Sequence, residues 1–167
     1  SDLSSRITRY PRNNMILSDI AECDRLNVYG VLQWQDRAMW DVETQAIIEK
    51  GNAEESWVVQ QLMKLGHKVI LAQQTVEVKG KNGILLARGK IDGFIEWEGK
   101  RYPFEVKSMG ENQFKGIKTI DDFNRKPYLR KYLRQLQMYM YGNNVEEGLF
   151  ILTDCRNHIK LIPIYLD

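Results

Sequence analysis

The sequence predicts a mixed α/β domain in which helices flank a central β-sheet. Apolar residues recur at helical spacing in three segments, residues 18–32, 51–65 and 127–141. Segments rich in Val, Ile, Thr and aromatic residues predict five strands, at residues 69–78, 84–97, 101–107, 148–153 and 158–165. The order of two helices, three strands, one helix and two strands favours one mixed sheet. A chain of 167 residues is expected to fold as a single domain, residues 1–167.

The first half of the chain carries its own start and stop signals. Residues 1–15 are polar with scattered Arg and are predicted to form an N-terminal arm. Ser18 and Asp19 can cap the first helix, and the second is predicted to begin near Gly51 and Asn52. Gly66 then follows the last apolar residue of that helix as a C-terminal stop.

Turn residues divide the second half. Asn82–Gly83 is a strong hairpin signal, and Glu98–Gly99 is predicted to turn the next pair of strands. Residues 108–126 contain two glycines and many polar side chains, which predicts a loop or a short irregular helix. Pro127 fits the first turn of a helix that runs to Tyr141.

Composition excludes several classes of protein. Lys and Arg total 24 against 22 Asp and Glu, a net charge of +2, so any site for a polyanion must be local. The apolar runs are too short to span a membrane, and the first residues contain no apolar segment typical of a secretory signal. We therefore expect a cytoplasmic protein without membrane contact. Cys23 and Cys155 are too few for a disulfide framework or a four-thiolate site, and Cys23 is expected in the core.

The most informative stretch combines Asp92 with Glu105 and Lys107. A predicted hairpin turn separates Asp92 from Glu105, which places them on neighbouring antiparallel strands. Glu105 and Lys107 are two residues apart and therefore project from one face of their strand, whereas Val106 points to the other. Burying such charges is costly without a partner, and a divalent cation would resolve the conflict. Oxygen ligands suit Mg²⁺ or Mn²⁺. An exposed salt bridge on a hairpin is the structural alternative.

A carboxylate from the preceding helix could reach the same cation. Glu54 and Glu55 both lie in the segment Gly51–Val58, and spacing alone does not separate them. The alternative is that they complement the dipole in the first turn of the helix.

The helix predicted at residues 127–141 has three faces. Tyr128, Tyr132, Gln135 and Tyr139 share one face, and Leu129, Leu133, Leu136 and Met140 form an adjacent apolar face. Arg130 and Arg134 lie on a third, and Lys131 adds to the basic segment. Arg and Tyr together suit contacts with phosphates and bases, so we predict DNA contacts from Arg130, Lys131, Tyr132 and Arg134. An amphipathic helix with boundary Arg and Tyr is the alternative.

Together these residues resemble the PD-(D/E)xK nuclease signature. Asp92 followed by Glu105-Val106-Lys107 is similar to its central motif, with Ile91 in place of the usual Pro. Gln135 to Tyr139 resembles the QxxxY motif of the RecB-like branch, and Gly51 with Glu55 resembles that branch's first motif. The resemblance spans residues 18–165 and implies the restriction-endonuclease-like fold, a central mixed sheet flanked by helices.

The resemblance also implies roles for individual residues. Glu55, Asp92 and Glu105 would bind Mg²⁺ or Mn²⁺ through their side chains and Val106 through its carbonyl. Lys107 would be the catalytic Lys. Gln135 and Tyr139 would position DNA or the attacking water. Some relatives hold an iron–sulfur cluster on four Cys; with two Cys, this chain is expected to have none.

The function implied is a metal-dependent deoxyribonuclease, more often an exonuclease than an endonuclease in this branch. Recombination, repair and phage or CRISPR DNA processing are the settings in which such enzymes act. A homo-oligomer and a helicase or recombinase subunit are candidate partners besides DNA. A non-catalytic DNA-binding module on the same fold and a site-specific endonuclease are the alternatives.

Overall fold

The computed structural model describes residues 3–70, 72–154 and 156–166, so Cys155 and the first two residues of the predicted arm lie outside the described residues. The helices are α1 (Leu17–Ile20), α2 (Asp24–Leu32), α3 (Val42–Lys64), α4 (Glu111–Gly116), α5 (Ile120–Arg125) and α6 (Pro127–Gly142). The strands are β1 (Met15–Ile16), β2 (Lys68–Ile70), β3 (Thr75–Lys79), β4 (Leu85–Lys90), β5 (Gly93–Trp97), β6 (Lys100–Ser108), β7 (Glu147–Thr153) and β8 (Ile159–Tyr165). Within this part of the chain, no helix has the length and apolar character needed to cross a membrane.

The strands form two sheets, and the larger one is the predicted mixed sheet. Its order is β2-β5-β6-β7-β8, with β6 and β7 parallel and the other neighbouring pairs antiparallel. Phe104 and Val106 of β6 pack on one face with Val58 and Leu62 of α3. On the opposite face, apolar residues of β7 pack against α6. The α/β class, with helices on both faces of a mixed sheet, is therefore confirmed.

The predicted long strand at residues 84–97 is two strands that belong to different sheets. β4 joins β1 and β3 in a three-stranded sheet, and β5 joins the larger sheet. Close packing marks the crossing. A Cβ atom on Gly89 would lie 2.7 Å from Cε1 of Tyr139, and one on Gly93 would lie 2.6 Å from Cζ of Phe104. The chain can approach each ring this closely because neither position carries a side chain, and Asp92 lies between the two glycines in the connection from β4 to β5. The predicted strand at 69–78 is divided in the same way, into β2 and β3.

Helix α3 begins at Val42, nine residues before the predicted start. Asp41 caps it, since the carboxylate oxygen Oδ1 accepts a hydrogen bond of 2.7 Å from the Thr44 amide. Gly51 lies inside the helix, where a glycine costs about 1 kcal/mol relative to alanine. Burial of apolar side chains on α3 outweighs that cost. Glu54 and Glu55 are therefore not in a first turn, and complementing the helix dipole does not explain them.

The predicted helix at residues 18–32 is interrupted between Ile20 and Asp24, and Cys23 is exposed there. The expectation that Cys23 lies in the core is wrong. Helix α2 turns Asn27 inward instead, and the Asn27 side chain accepts a hydrogen bond of 2.8 Å from the Ile16 amide. Apolar residues of α2, among them Leu26 and Leu32, consequently face outward.

Residues 108–126 contain two short helices, α4 and α5, rather than a loop or one irregular helix. Phe114 and Phe123 anchor them, because both rings are buried in one cluster with Leu129, Leu133 and Leu136 of α6. Helix α6 begins at Pro127 and ends at Gly142, which confirms the predicted helix at 127–141 to within one residue.

Candidate active site

An open cleft of about 710 Å³ lies at the carboxyl end of β6. Helix α3 contributes Glu54 and Glu55 to its lining, and α6 contributes Tyr132. Asp92, Lys107 and the connection between β2 and β3 complete this part of the lining. The structure therefore brings side chains from both halves of the sequence to one place.

Glu105 is the buried centre of the polar network, with 2% of its surface exposed. Its Oε1 accepts two hydrogen bonds, from Lys107 Nζ at 2.6 Å and from Gln135 Nε2 at 2.9 Å. Its Oε2 is buried and has no hydrogen-bond partner. Burial raises the pKa of Glu105 to about 7 despite the nearby charge of Lys107, and Asp92 adds to the rise. One carboxylate oxygen is thus left for a further partner.

Lys107 is an ammonium donor in this network. Its Nζ lies 4.9 Å from the centre of the Tyr132 ring, within cation–π range. Burial acts to lower the pKa of Lys107, but the carboxylates of Glu105 and Asp92 outweigh it and raise the pKa above its ordinary value. Lys107 therefore carries its proton at neutral pH and can donate hydrogen bonds, not accept a proton.

Asp92 lies in the loop between β4 and β5, and its side chain is hydrogen-bonded to β6. Its Oδ2 accepts a hydrogen bond of 2.7 Å from the Val106 amide. The amide and carbonyl of one residue in an extended strand point to the same side, so the Val106 carbonyl faces the same gap as Asp92. Burial raises the pKa of Asp92, against the lowering effects of Lys107 and the Val106 amide. The Asp92 carboxylate and the Val106 carbonyl thus share one edge of the cleft.

Glu54 and Glu55 differ in how they relate to these groups. Burial raises the pKa of Glu55, and the charge of Asp92 adds to the rise, which places Glu55 in the electrostatic field of the site. The Glu55 carboxylate accepts a hydrogen bond of 2.6 Å from Gln73 Nε2. Glu54 Oε1 lies 3.7 Å from Lys50 Nζ, and its Oε2 is buried without a partner. The electrostatic coupling favours Glu55 as the helix ligand, which stays a prediction.

Gln135 and Tyr139 stand behind Glu105. Gln135 Nε2 donates to Glu105 and also lies 3.1 Å from the hydroxyl oxygen of Tyr139. Tyr139 is only 2% exposed, and its hydroxyl would lie 2.8 Å from a Cβ atom on Gly89. As the side chains stand, Tyr139 does not reach the cleft surface. Its hydroxyl contacts Gln135, which in turn donates to Glu105.

The residues predicted to contact DNA do not all lie in the cleft. Tyr132 lines it, whereas Arg130 and Arg134 are on the opposite side of α6 by helical geometry. Arg130 Nε donates to the Asn124 carbonyl at 2.7 Å, and Lys131 Nζ lies 3.5 Å from Glu22. Arg134 is exposed. The assignment of Arg130, Lys131 and Arg134 to DNA stays a prediction.

Sequence patterns missed Gln73, which supports Glu55 from outside the motifs. Gln73 has a backbone φ of 57°, a left-handed conformation that side chains other than glycine seldom adopt. The backbone N–H of Gln73 also donates to the backbone carbonyl of Asp92 at 3.3 Å. Gln73 and Gln74 form no pattern in the sequence that would mark either of them. Only the fold shows that one of them ties the helix carboxylate to the Asp92 segment.

Comparison with solved structures relates this fold to nucleases. The alkaline exonuclease LHK-Exo from Laribacter hongkongensis superposes with a TM-score of 0.58 and 15% identity, over 92% of this chain and 78% of that chain. The chain has the fold of this exonuclease. A phage-related exonuclease from Haemophilus somnus gives a TM-score of 0.53 and 12% identity, over 95% of this chain and 86% of that one. The structure of SSO0001 superposes with a TM-score of 0.64 and 16% identity, over 98% of this chain and 73% of that chain.

These likenesses establish the exonuclease fold and nothing finer. No protein-family model matches the sequence, and no curated protein matches it either. The shared fold is consistent with the PD-(D/E)xK resemblance of the sequence. The assignment of Gln135 and Tyr139 to a QxxxY motif stays a prediction.

The donor atoms of the cleft fit a hard divalent cation. Carboxylate and carbonyl oxygens of Glu55, Asp92, Glu105 and Val106 are the ligand types that Mg²⁺ and Mn²⁺ prefer. The unpartnered, buried Oε2 of Glu105 is the specific observation in favour. Across residues 3–70, 72–154 and 156–166, no three His, Cys, Asp or Glu side chains form a ready metal-binding group. In the structure Glu55, Asp92 and Glu105 each accept a hydrogen bond from a protein donor, so metal binding would require these side chains to move closer together.

Proposed function

We propose that the protein is a metal-dependent nuclease that hydrolyses DNA phosphodiester bonds. The observation that carries the proposal is Glu105, a buried carboxylate with one unpartnered oxygen beside Asp92, Glu55 and Lys107. Such a group is costly to bury unless it meets a cation. The fold supports the proposal, because solved structures with this fold include exonucleases, one of them LHK-Exo in complex with dAMP.

Asp92, Glu105 and the Val106 carbonyl would hold Mg²⁺ or Mn²⁺, with Glu55 completing the set from α3. When bound, the ion would stabilise charge on the phosphoryl oxygens and lower the pKa of an attacking water. This chemistry suits a phosphodiester, whose hydrolysis needs both an activated nucleophile and charge neutralisation. No iron–sulfur cluster is proposed.

The remaining residues orient the reacting groups. The Lys107 ammonium donates to a phosphate oxygen or to the attacking water, and it stabilises the negative charge that develops there. The ring of Tyr132 restricts where that ammonium can lie. Gln135 uses its Nε2 for Glu105 and Tyr139, so its side-chain carbonyl is the group it can offer to a water.

Exonuclease activity is the form that we propose, by analogy with the exonucleases of the same fold. A DNA substrate is proposed for the same reason.

Cleavage of end-labelled single- and double-stranded DNA with Mg²⁺, Mn²⁺ or EDTA tests the function. We expect products with either metal and none with EDTA. Asp92→Asn should be inactive, and it should stay folded because its side-chain oxygen still accepts the Val106 amide. Glu96→Gln is the matched control, since Glu96 pairs with Lys68 outside the cleft.

Two outcomes would contradict the proposal. Cleavage that EDTA does not inhibit would remove the metal from the reaction. Wild-type activity in Asp92→Asn would show that the site lies elsewhere. DNA binding without cleavage under any of the metal conditions would instead identify a non-catalytic DNA-binding module.

A further inference from the structure

The surface formed by the N-terminal quarter of the chain is unusually apolar. Nineteen large hydrophobic side chains are exposed in the described part of the chain, and ten of them lie between residues 10 and 47. Three are aromatic: Tyr10 is 68% exposed, Tyr29 is 56% exposed and Trp40 is 54% exposed. Exposed apolar side chains gathered in one region indicate a binding surface rather than ordinary scatter.

Several of these side chains line two hollows, one of which borders the catalytic cleft. The first, with a volume of about 310 Å³, is lined by Tyr10, Arg37, Trp40 and Ile48, and Ile48 also lines the catalytic cleft. The second, of about 390 Å³, shares Arg37 and Trp40 with the first and adds Tyr29. We call the two hollows together the N-terminal groove.

We propose that the N-terminal groove binds an extended single strand of nucleic acid and leads it to the cleft. The inference rests on the proposed nuclease function, because it supplies the substrate for that site. Exposed aromatic rings in a groove stack on unpaired bases, and each stack contributes to affinity without regard to sequence. A base within a duplex has both faces covered by its neighbours, so this chemistry selects a single strand.

Arginines supply the complementary charge along the groove. Arg37 lines both hollows and forms no ion pair among the described residues. Arg12 also lines the second hollow, but its Nη1 lies 2.6 Å from Asp19 Oδ2, and Asp36 lines the same hollow. Arg37 is the one charged residue among the described residues that line the first hollow. Cations next to aromatic rings suit a strand that offers phosphates on one side and bases on the other. A protein partner would need the apolar surface but neither the free Arg37 nor continuity with the cleft.

Binding of a labelled oligothymidylate in EDTA tests the inference without metal or cleavage. Trp40→Leu keeps an apolar side chain but removes the stacking ring, and we expect about tenfold weaker binding. Trp40→Phe keeps a ring and should stay within about threefold of the wild type. The control is Trp97→Leu. Trp97 is 61% exposed but lines a separate hollow with Leu161 and Tyr165, so this variant should bind the oligothymidylate as the wild type does.

A second measurement tests the charge. Arg37→Ala should weaken binding and reduce the dependence of affinity on salt, because one fewer phosphate is neutralised. A blunt duplex of the same length should bind the wild type more weakly than the single strand and should be insensitive to Trp40→Leu.

Several results would overturn the inference. One is a Trp40→Leu variant that binds the oligonucleotide as tightly as the wild type does. Another is a Trp97→Leu variant that loses as much affinity as Trp40→Leu. Self-association that Trp40→Leu abolishes, with oligonucleotide affinity unchanged, would identify the groove as an interface between copies of the chain. The two proposals fail in distinguishable ways. If binding depends on Trp40 but no DNA is cleaved, the nuclease proposal fails and the inference about the groove stands. If DNA is cleaved but binding does not depend on Trp40, the inference about the groove fails and the nuclease proposal stands.

Discussion

The two walls of the cleft are built differently. Behind the α6 wall, which Tyr132 lines, Glu105, Gln135 and Tyr139 are linked by hydrogen bonds, and Tyr139 is packed against Gly89. On the α3 wall, Glu55 is half-buried and is held by a single hydrogen bond from Gln73, a residue outside any helix or strand. The α6 wall is therefore fixed by packing, whereas the α3 wall can adjust.

We expect the two walls to have different roles. A fixed wall sets the position of the buried carboxylate and of the Lys107 ammonium, on which charge stabilisation depends. An adjustable wall lets a helix carboxylate move toward a cation or a substrate as it arrives. Substitutions on the α6 side should accordingly have larger effects than those on the α3 side.

The largest effect should come from Lys107, the charged group of the fixed wall. Lys107→Ala should lower kcat by at least about a hundredfold, the loss typical of removing one preorganised donor. It should retain Mn²⁺ binding, because removing a positive charge does not weaken a cation site. Lys107→Arg should also fail, since a planar guanidinium does not replace a compact ammonium. Single-turnover kinetics with calorimetry checks this, and full activity of the Arg variant would contradict it.

The buried carboxylate should make the metal-free protein less stable as pH rises. The folded-state pKa of Glu105, about 7, lies above its unfolded value, so the folded protein keeps a proton that the unfolded chain has released. Stability from this group is present below the unfolded pKa and is lost as pH rises through 7, by at most roughly 3 kcal/mol. The raised pKa values of Asp92 and Glu55 act in the same direction.

Urea unfolding in EDTA at pH 5 and pH 8 measures this effect. Glu105→Gln should reduce the difference between the two pH values, because its amide does not titrate. A wild-type stability that is flat or rises over this range would contradict the burial of an unpartnered carboxylate.

A matched pair of glycine substitutions tests whether packing fixes the α6 wall. Gly89→Ala would force the Tyr139 ring to move and should cost about 1–3 kcal/mol of stability. It should also lower kcat more than it changes KM, because Gln135 and Glu105 shift with Tyr139. Gly51→Ala adds the same methyl group to the other wall, where nothing lies within 4 Å, and should stabilise α3 by up to about 1 kcal/mol. Equal effects of the two substitutions would remove the contrast between the walls.

The smallest effect should come from the adjustable wall. Glu55→Gln should weaken Mn²⁺ binding by about tenfold, a modest loss for a ligand that can be replaced by water. Glu54→Gln should bind Mn²⁺ as the wild type does, because Glu54 Oε1 lies 3.7 Å from Lys50 Nζ, whereas Glu55 is the helix carboxylate on which the charge of Asp92 acts. Isothermal titration of Mn²⁺ into both variants decides which of the two is the helix ligand. A loss of Mn²⁺ affinity confined to Glu54→Gln would reverse the assignment.

Local patterns in the sequence were sufficient to predict that Glu105, Lys107 and Asp92 lie close together. The alternation of Glu105, Val106 and Lys107 placed two charges on one face of β6, and the hairpin placed Asp92 beside them. The structure confirms the shared face, since Glu105 and Lys107 are hydrogen-bonded. Contrary to the prediction, Asp92 is not on a strand but in the connection between β4 and β5, from which its side chain still reaches the Val106 amide. Short-range periodicity determines such relations, so no knowledge of the rest of the fold was needed.

Contacts between distant residues could not be predicted in this way. Gly89 and Tyr139 are in contact because β4 packs against α6 at this point. The segment expected to form one long strand is there divided into β4 and β5, which belong to different sheets. The early start of α3 was missed because packing of the helix overrides the low helix propensity of Gly51. Gln73 was missed because its role follows from a turn that brings it against Glu55.

Calorimetric titration of Mn²⁺ into the protein tests most directly whether Asp92 and Glu105 form a divalent-cation site. Wild type and Glu96→Gln should bind Mn²⁺ alike, because Glu96 is outside the cleft. Asp92→Asn and Glu105→Gln should each lose binding while they keep the wild-type fold by circular dichroism. Undiminished Mn²⁺ binding by both folded variants would contradict the account.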